Sequence, residues 1–255
     1  MFKFIDSHCH LDQLADPLAD LKTAAEMEVG AVVCVGTDFA SNPRNLELAK
    51  AASSLKLVVA LGIHPTEIES AKFGEALDFI RANIGKAKAV GEIGLDFWNK
   101  EAKKKAEKKT EQEEVFIAQL KLAKEFDLPV SIHSRGAWQR CLELCLEDKI
   151  KKAVFHWYSG PIEVLEGILK AGFFISVTPA LMYSPQHQAA AKAAPIEKLF
   201  LETDSPVYYG EKGEGFSARP KDVLKTAQLL AALKNLSLED IAQTTTANAR
   251  EFFAI

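Results

Sequence analysis

Four cysteines in 255 residues, Cys9, Cys34, Cys141 and Cys145, are too few and too scattered for a disulfide scaffold. A chain of this length buries enough apolar surface without one. Cys141 and Cys145 lie one helical turn apart among leucines, as small core hydrophobes do. No apolar run approaches the roughly 18 uncharged residues of a membrane span. The opening Met1-Phe2-Lys3-Phe4-Ile5-Asp6 lacks the charged leader and long apolar stretch of a signal peptide. An excess of one charge is missing too: 31 Lys and Arg against 35 Asp and Glu leave a net charge of −4. Bulk electrostatics therefore offers a polyanion no attraction, and recognition of any phosphate has to be local. A soluble, cytoplasmic protein with no membrane association and no obligate protein partner is expected.

What is present is a regular alternation of short apolar runs and amphipathic stretches. The strand candidates are "KFIDSH", "GAVVCVG", "KLVVALGIH", "KAVGEIGLD", "LPVSIHS", "KAVFHWY", "GFFISVTP" and "KLFLETDS". Each is rich in Val, Ile, Leu or Phe, as a strand buried on both faces should be. Helical patterns such as "LADLKTAAEMEV" and "EEVFIAQLKLAKEF" separate them, and a helical tail, "LSLEDIAQTTTANAREFF", closes the chain. Eight such units in this length predict an α/β fold, a (β/α)8 TIM barrel over residues 1–255 with extra C-terminal helices. An open doubly wound sheet would carry a glycine-rich phosphate loop after its first strand, where this chain has "SHCHLDQL".

In such a barrel the chemistry gathers at the C-terminal strand ends. His8 and His10 fall there on the first strand, His64 on the third, Glu92 on the fourth, His133 on the fifth, His156 on the sixth and Asp204 on the eighth. Core histidines with independent structural roles have no reason to share one rim. Buried carboxylates without partners would cost several kcal/mol. A central cation resolves both difficulties. The spacing His8-x-His10 fits, because side chains two apart on a strand share a face, leaving Cys9 turned outward.

Imidazoles with carboxylates suit zinc, manganese, iron or cobalt, and magnesium can be held more loosely. Six candidate ligands exceed the usual complement of one catalytic zinc. Two ions are therefore expected, with Glu92 or Asp204 between them. Such a pair acidifies a water and stabilises a leaving oxygen in hydrolysis, and Asp204 is the expected base for that water. Glu202 is expected to support Asp204. Asp6 is expected either to orient a ligand imidazole or to be structural.

The blocks "FIDSHCHLD", "LGIHP", "AVGEIGLDFW", "LPVSIHSR", "FHWYSG" and "LFLETDSP" resemble, in order, those of the TatD-type metal-dependent deoxyribonucleases, within the amidohydrolase-like barrels. The resemblance runs from Phe4 to about Pro220. It implies a TIM barrel that hydrolyses DNA phosphodiesters, often from 3′ ends, with magnesium or manganese supporting activity. Position by position it implies His8, His10, Glu92, His133, His156 and Asp204 as metal ligands and His64 at the substrate phosphate. Two blocks depart from the family pattern: Ser217-Ala218-Arg219-Pro220 after the last strand, and Trp157-Tyr158 inside the block that follows His156. Neither departure touches a ligand position.

Beside these blocks, six lysines lie between Lys100 and Lys109. They could track a DNA backbone through counterion release or form a solvated helix start balanced by Glu111, Glu113 and Glu114. Phe97-Trp98, Trp157-Tyr158 and Tyr208-Tyr209 flank the same rim, with Trp98 and Trp157 the preferred base-stacking residues and Arg135 a phosphate contact. A deoxyribonuclease is the leading expectation. The alternatives are a hydrolase of a different ester, lactone or amide, because fold does not fix substrate, and a non-catalytic metal or nucleic-acid binder, for which a retained base at Asp204 is superfluous.

Overall fold

The computed structural model describes residues 4–211 and 213–255. The apolar runs form strands β1 (Phe4–Cys9), β2 (Val29–Val35), β3 (Lys56–Leu61), β4 (Ala89–Gly94), β5 (Val130–His133), β6 (Ala153–Phe155), β7 (Phe174–Val177) and β8 (Leu199–Leu201). They lie side by side in sequence order, each parallel to the next. Helices α1 (Pro17–Glu26), α2 (Ser41–Ala51), α3 (Phe73–Asn83), α4 (Lys100–Lys104), α5 (Ala106–Glu125), α6 (Trp138–Glu147), α7 (Ile162–Lys170) and α8 (Pro185–Ala193) fill the connections. A short hairpin, β9 (Tyr208–Tyr209) with β10 (Phe216–Ser217), precedes α9 (Val223–Lys234) and α10 (Leu238–Phe253). This is the expected (β/α)8 barrel with its C-terminal helices. Among the described residues no helix is long and apolar enough to cross a membrane.

Strand alternation divides the core into two layers. Val32 and Cys34 of β2, and Val59 and Leu61 of β3, join the large cluster packed against the helices. Their neighbours Ala31, Val33, Val35, Val58 and Ala60 join a smaller cluster with Phe200, Phe252 and Phe253. Phe252 stands edge-on to both Phe174 and Phe200, so the aromatic end of α10 plugs the barrel opposite the predicted catalytic rim. Cys9, Cys34, Cys141 and Cys145 are buried free thiols in the outer layer, as expected of them.

Barrel closure joins backbone hydrogen bonds to a side chain. Beyond β8 the Asp204 N–H donates to the His8 carbonyl (3.0 Å) and the His10 N–H donates to the Ser205 carbonyl (2.8 Å). One step earlier the Asp6 carboxylate accepts the Thr203 N–H (2.9 Å) and hydroxyl (2.6 Å). Asp6 therefore joins the first and last strands, and its only link to His8 is the backbone N–H at 3.4 Å. The structural alternative for Asp6 holds. Replacing Asp6 by Ala strands both Thr203 donors in a buried seam, so unfolding free energy should fall by about 2–4 kcal/mol. A fall below about 1 kcal/mol in urea titration would contradict this role.

The sixth histidine, His187, is buried between two loops. Its Nδ1 lies 2.7 Å from the Tyr158 carbonyl, and its Nε2 lies 3.0 Å from the Thr178 N–H. One nitrogen must donate and the other accept, which fixes a neutral ring; burial, chiefly, lowers its pKa. An unfolded chain takes up the proton below about pH 6.5 and the folded one resists it. Stability from this group is thus complete above that pH and is lost as pH falls below it. From about pH 7 to 5 the urea midpoint of the wild type should fall more steeply than that of His187→Gln; parallel slopes would exclude the assignment.

Candidate functional site

The rim residues converge, by less regular routes than plain alternation. Between Asp6 and Cys9, β1 spends three residues against two of β2, a bulge that contains His8. His10 lies one residue past β1, His64 three past β3 and Asp204 three past β8. His133 is the last residue of β5, and His156 follows β6 directly. Glu92 sits inside β4 at a second bulge, between Val90 and Ile93. The glycines beside it are required. A Cβ on Gly91 would lie 2.7 Å from the Ser131 Cβ, and one on Gly94 would lie 2.0 Å from the His133 carbonyl oxygen, at a φ of 137°. "GEIG" therefore brings β4 close enough to β5 for Glu92 and His133 to meet.

Glu92 is the centre, 2% exposed. Its Oε1 lies 2.7 Å from His156 Nε2, 2.9 Å from His133 Nδ1 and 3.4 Å from His64 Nε2. Its Oε2 lies 3.3 Å from His8 Nε2 and 3.5 Å from His10 Nε2. Asp204 approaches from the other side, with Oδ1 3.1 Å from His10 Nε2 and 3.6 Å from His8 Nε2. Asp204 and Trp157 both hold left-handed backbones without being glycine, at φ 47° and 41°. Such backbones concentrate at functional sites.

The charges balance one another. Burial alone would raise the Glu92 carboxyl, but the fields of His156, His64 and His8 outweigh it and hold it well below the usual range. Burial likewise opposes ionisation of Asp204, yet the His10 hydrogen bond, with the fields of His10, His8 and His156, brings it to about 2. Burial depresses His8 and His64. His156 is also desolvated, but Glu92 and Glu202 raise it.

A polar group stands behind each inner imidazole. Ser131 Oγ lies 3.3 Å from His8 Nδ1. Asp96 Oδ2 lies 3.3 Å from His133 Nε2. Glu202 Oε1 lies 3.5 Å from His156 Nδ1, and Glu202 also accepts the Ser176 hydroxyl (2.6 Å) and the Trp157 N–H (2.9 Å). Glu202 thus backs His156 instead of Asp204, because its carboxylate turns toward β6 and β7. Asp96 has no counterpart in the sequence-based expectations. Its one signal was its place in the "GEIGLD" block, four residues after Glu92.

Three triplets in the cluster could hold a cation: His8, His10 and Glu92; His8, His156 and Glu202; and His64, Glu92 and His133. The buried His8 Nε2 faces two carboxylates without making a hydrogen bond, the condition of a nitrogen with a lone pair to offer. Nitrogen and oxygen donors in these groups fit a divalent cation. Cys9 belongs to none of them and packs into the outer layer.

Over the cluster opens a cavity of about 1010 Å³. Loops after β1 to β3 line one side with Asp12, Asp38 and Glu67. Segments after β4 to β7 line the other with Arg135, Tyr183 and all three tryptophans, Trp98, Trp138 and Trp157. Trp98 is 53% exposed and stands edge-on to Trp138, whose place in an amphipathic helix hid it in the sequence. Tyr158 and Tyr209 are buried and donate to the Pro161 and Thr203 carbonyls, so both are structural. Exposed Tyr208 donates to Glu211 instead of lining the cavity. None of the six lysines between Lys100 and Lys109 lines it either. Lys105 pairs with Glu101, Lys108 with Glu111, and Lys109 lies over the Phe97 ring.

Comparison with known proteins agrees with this geometry. The family model described as "TatD related DNase" matches residues 5–254. Human deoxyribonuclease TATDN3 is 32% identical, over 98% of this chain and 94% of its own. The metal-dependent hydrolase MJ1582 of Methanocaldococcus jannaschii is 29% identical, over 98% of this chain and 97% of its own. The crystal structure of the TatD homolog YjjV from Escherichia coli superposes with a TM-score of 0.88 at 28% identity, covering 99% of this chain and 98% of that one. The chain belongs to the TatD-related DNase family of metal-dependent hydrolases.

Proposed function

We propose that this chain hydrolyses DNA phosphodiester bonds from the 3′ end, using two divalent cations held by His8, His10, Glu92, His133, His156 and Asp204. Divalent metal use follows from the family and the donor triplets. The two oxygens of Glu92, each facing its own group of imidazoles, carry the proposal of two ions with Glu92 between them. Magnesium or manganese is the proposed working metal, with zinc an alternative. Cations held there would supply Lewis acidity to the scissile phosphate and the attacking water.

The chain's own residues do the rest. Asp204, ionised by its histidine neighbours, takes the proton of the attacking water. His64, with Nδ1 2.7 Å from Thr66 Oγ1, is fixed beside Glu92 and contacts the phosphate. Arg135 receives the neighbouring phosphate, and Trp98 and Trp157 stack the terminal bases, each contact contributing about 1–3 kcal/mol. The carboxylates on the β1 to β3 side repel the backbone, so the strand enters over the tryptophans. Buried, unpaired thiols accord with a cytoplasmic setting.

Metal-stripped protein given magnesium, manganese or zinc separately should shorten end-labelled single-stranded DNA from its 3′ end. Asp204→Asn should reduce the rate about 10²- to 10⁴-fold while remaining folded. Absence of cleavage with every metal, in loaded protein, would transfer the assignment to a small ester, lactone or amide. Lys100, Lys103 and Lys104 make no ion pair among the described residues. Replacing Lys100, Lys103 and Lys104 by Ala should therefore flatten the salt dependence of binding long single strands, by about 0.7 in log–log slope per lost contact. An unchanged slope removes the run from the DNA path.

A further inference from the structure

Asp96 is fully buried, lies outside the six proposed ligands, and has more partners than a loop residue needs. Its N–H donates to Gln112 Oε1 at 2.9 Å, and its carbonyl accepts Gln112 Nε2 at 3.4 Å, which fastens it to α5. The carboxylate then meets three residues of different duty. Oδ2 lies 3.3 Å from His133 Nε2, on the ring edge away from Glu92. Arg135 grips the carboxylate with Nη2 at 2.7 Å and Nε at 3.1 and 3.2 Å. Oδ1 accepts the N–H groups of Trp98 (3.1 Å) and Asn99 (2.9 Å).

These partners span the site from centre to rim. His133 borders Glu92, the Arg135 side chain is 56% exposed at the cavity wall, and Trp98 is the most exposed of the cavity tryptophans. We propose that Asp96 is a positioning residue that couples cation binding at the centre to the grip on the nucleic-acid strand at the rim. The inference rests on the cation-dependent reading of the site given above.

The chemistry of the His133 ring carries the coupling. With a carboxylate behind Nε2, the ring donates Nε2–H to Asp96 and keeps the Nδ1 lone pair for a cation beside Glu92. A cation held by His133 Nδ1 would withdraw electron density from the ring and strengthen the Nε2–H donor. The same Asp96 oxygen holds Arg135 Nη2, so a carboxylate fixed in place by His133 also fixes where Arg135 stands. Arg135 Nη1 makes no hydrogen bond among the described residues and remains for a phosphate oxygen. Coupling of this kind is reciprocal: cation and strand should each strengthen the binding of the other.

The test measures zinc affinity by chelator competition, and affinity for a non-hydrolysable phosphorothioate dinucleotide with and without zinc. These are read for the wild type, Asp96→Asn and Arg135→Ala. Asp96→Asn should weaken zinc binding about 10- to 100-fold and abolish the tightening of the dinucleotide by zinc. Arg135→Ala should weaken the dinucleotide and lower zinc affinity far less than Asp96→Asn does. Equal zinc affinity in the wild type and Asp96→Asn would overturn the inference while leaving the metal-dependent reading intact. A wild type that binds no zinc, magnesium or manganese would remove both. Should Asp96→Asn fail to fold, long-range proton–nitrogen spectra of zinc-loaded wild type decide the matter. A proton on His133 Nε2 supports the coupling, and a proton on Nδ1 overturns it.

Discussion

A carboxylate buried to 2% exposure, with imidazole nitrogens of five histidines within 3.5 Å, is the constraint to which the rest of this structure answers. Glu92 could not ionise there without concentrated positive charge, because an uncompensated buried ion costs several kcal/mol. The local backbone follows from that requirement. Gly91 and Gly94 let β4 approach β5, and bulges in β1 and β4 aim His8 and Glu92 at one point. Protons or cations can supply the charge, and a His8 Nε2 that faces two carboxylates without a hydrogen bond accords with a cation.

Around this centre the fold separates its tasks. Ser131 and Asp96 hydrogen-bond the outer ring edges of His8 and His133, and Glu202 faces that of His156. The loops divide by strand number, acidic after β1 to β3 and aromatic after β4 to β7. At the opposite end Phe174, Phe200, Phe252 and Phe253 close the barrel with apolar contacts. Apolar packing thus provides rigidity at one end, so that charge can be concentrated at the other.

The barrel and the convergent residues were legible because they break an apolar pattern at a regular place. Histidines and carboxylates closing Val- and Leu-rich runs have no bland explanation when they recur. Other features carried no local signal. Asp6 serves Thr203, 197 positions away, and nothing near it in the chain marks a seam. Asp96 reads as an ordinary loop carboxylate until His133 and Arg135 fold against it. Glu202, two residues from Asp204, looked like its companion, but a short strand and the turn after it send the two carboxylates to different partners. Trp138 resembled any apolar position on an amphipathic helix, and the lysines at the start of α4 looked closer to the cavity than they are.

Counting bound metal tests the centre around Glu92 most directly. Protein stripped and reloaded with manganese or zinc, freed of excess and analysed by elemental mass spectrometry, should hold two ions per chain. Glu92→Gln, folded by circular dichroism, should hold neither firmly, since one carboxylate faces both sets of histidines. Two ions retained in Glu92→Gln, or a single ion in the wild type unaffected by the substitution, would contradict a centre organised around Glu92.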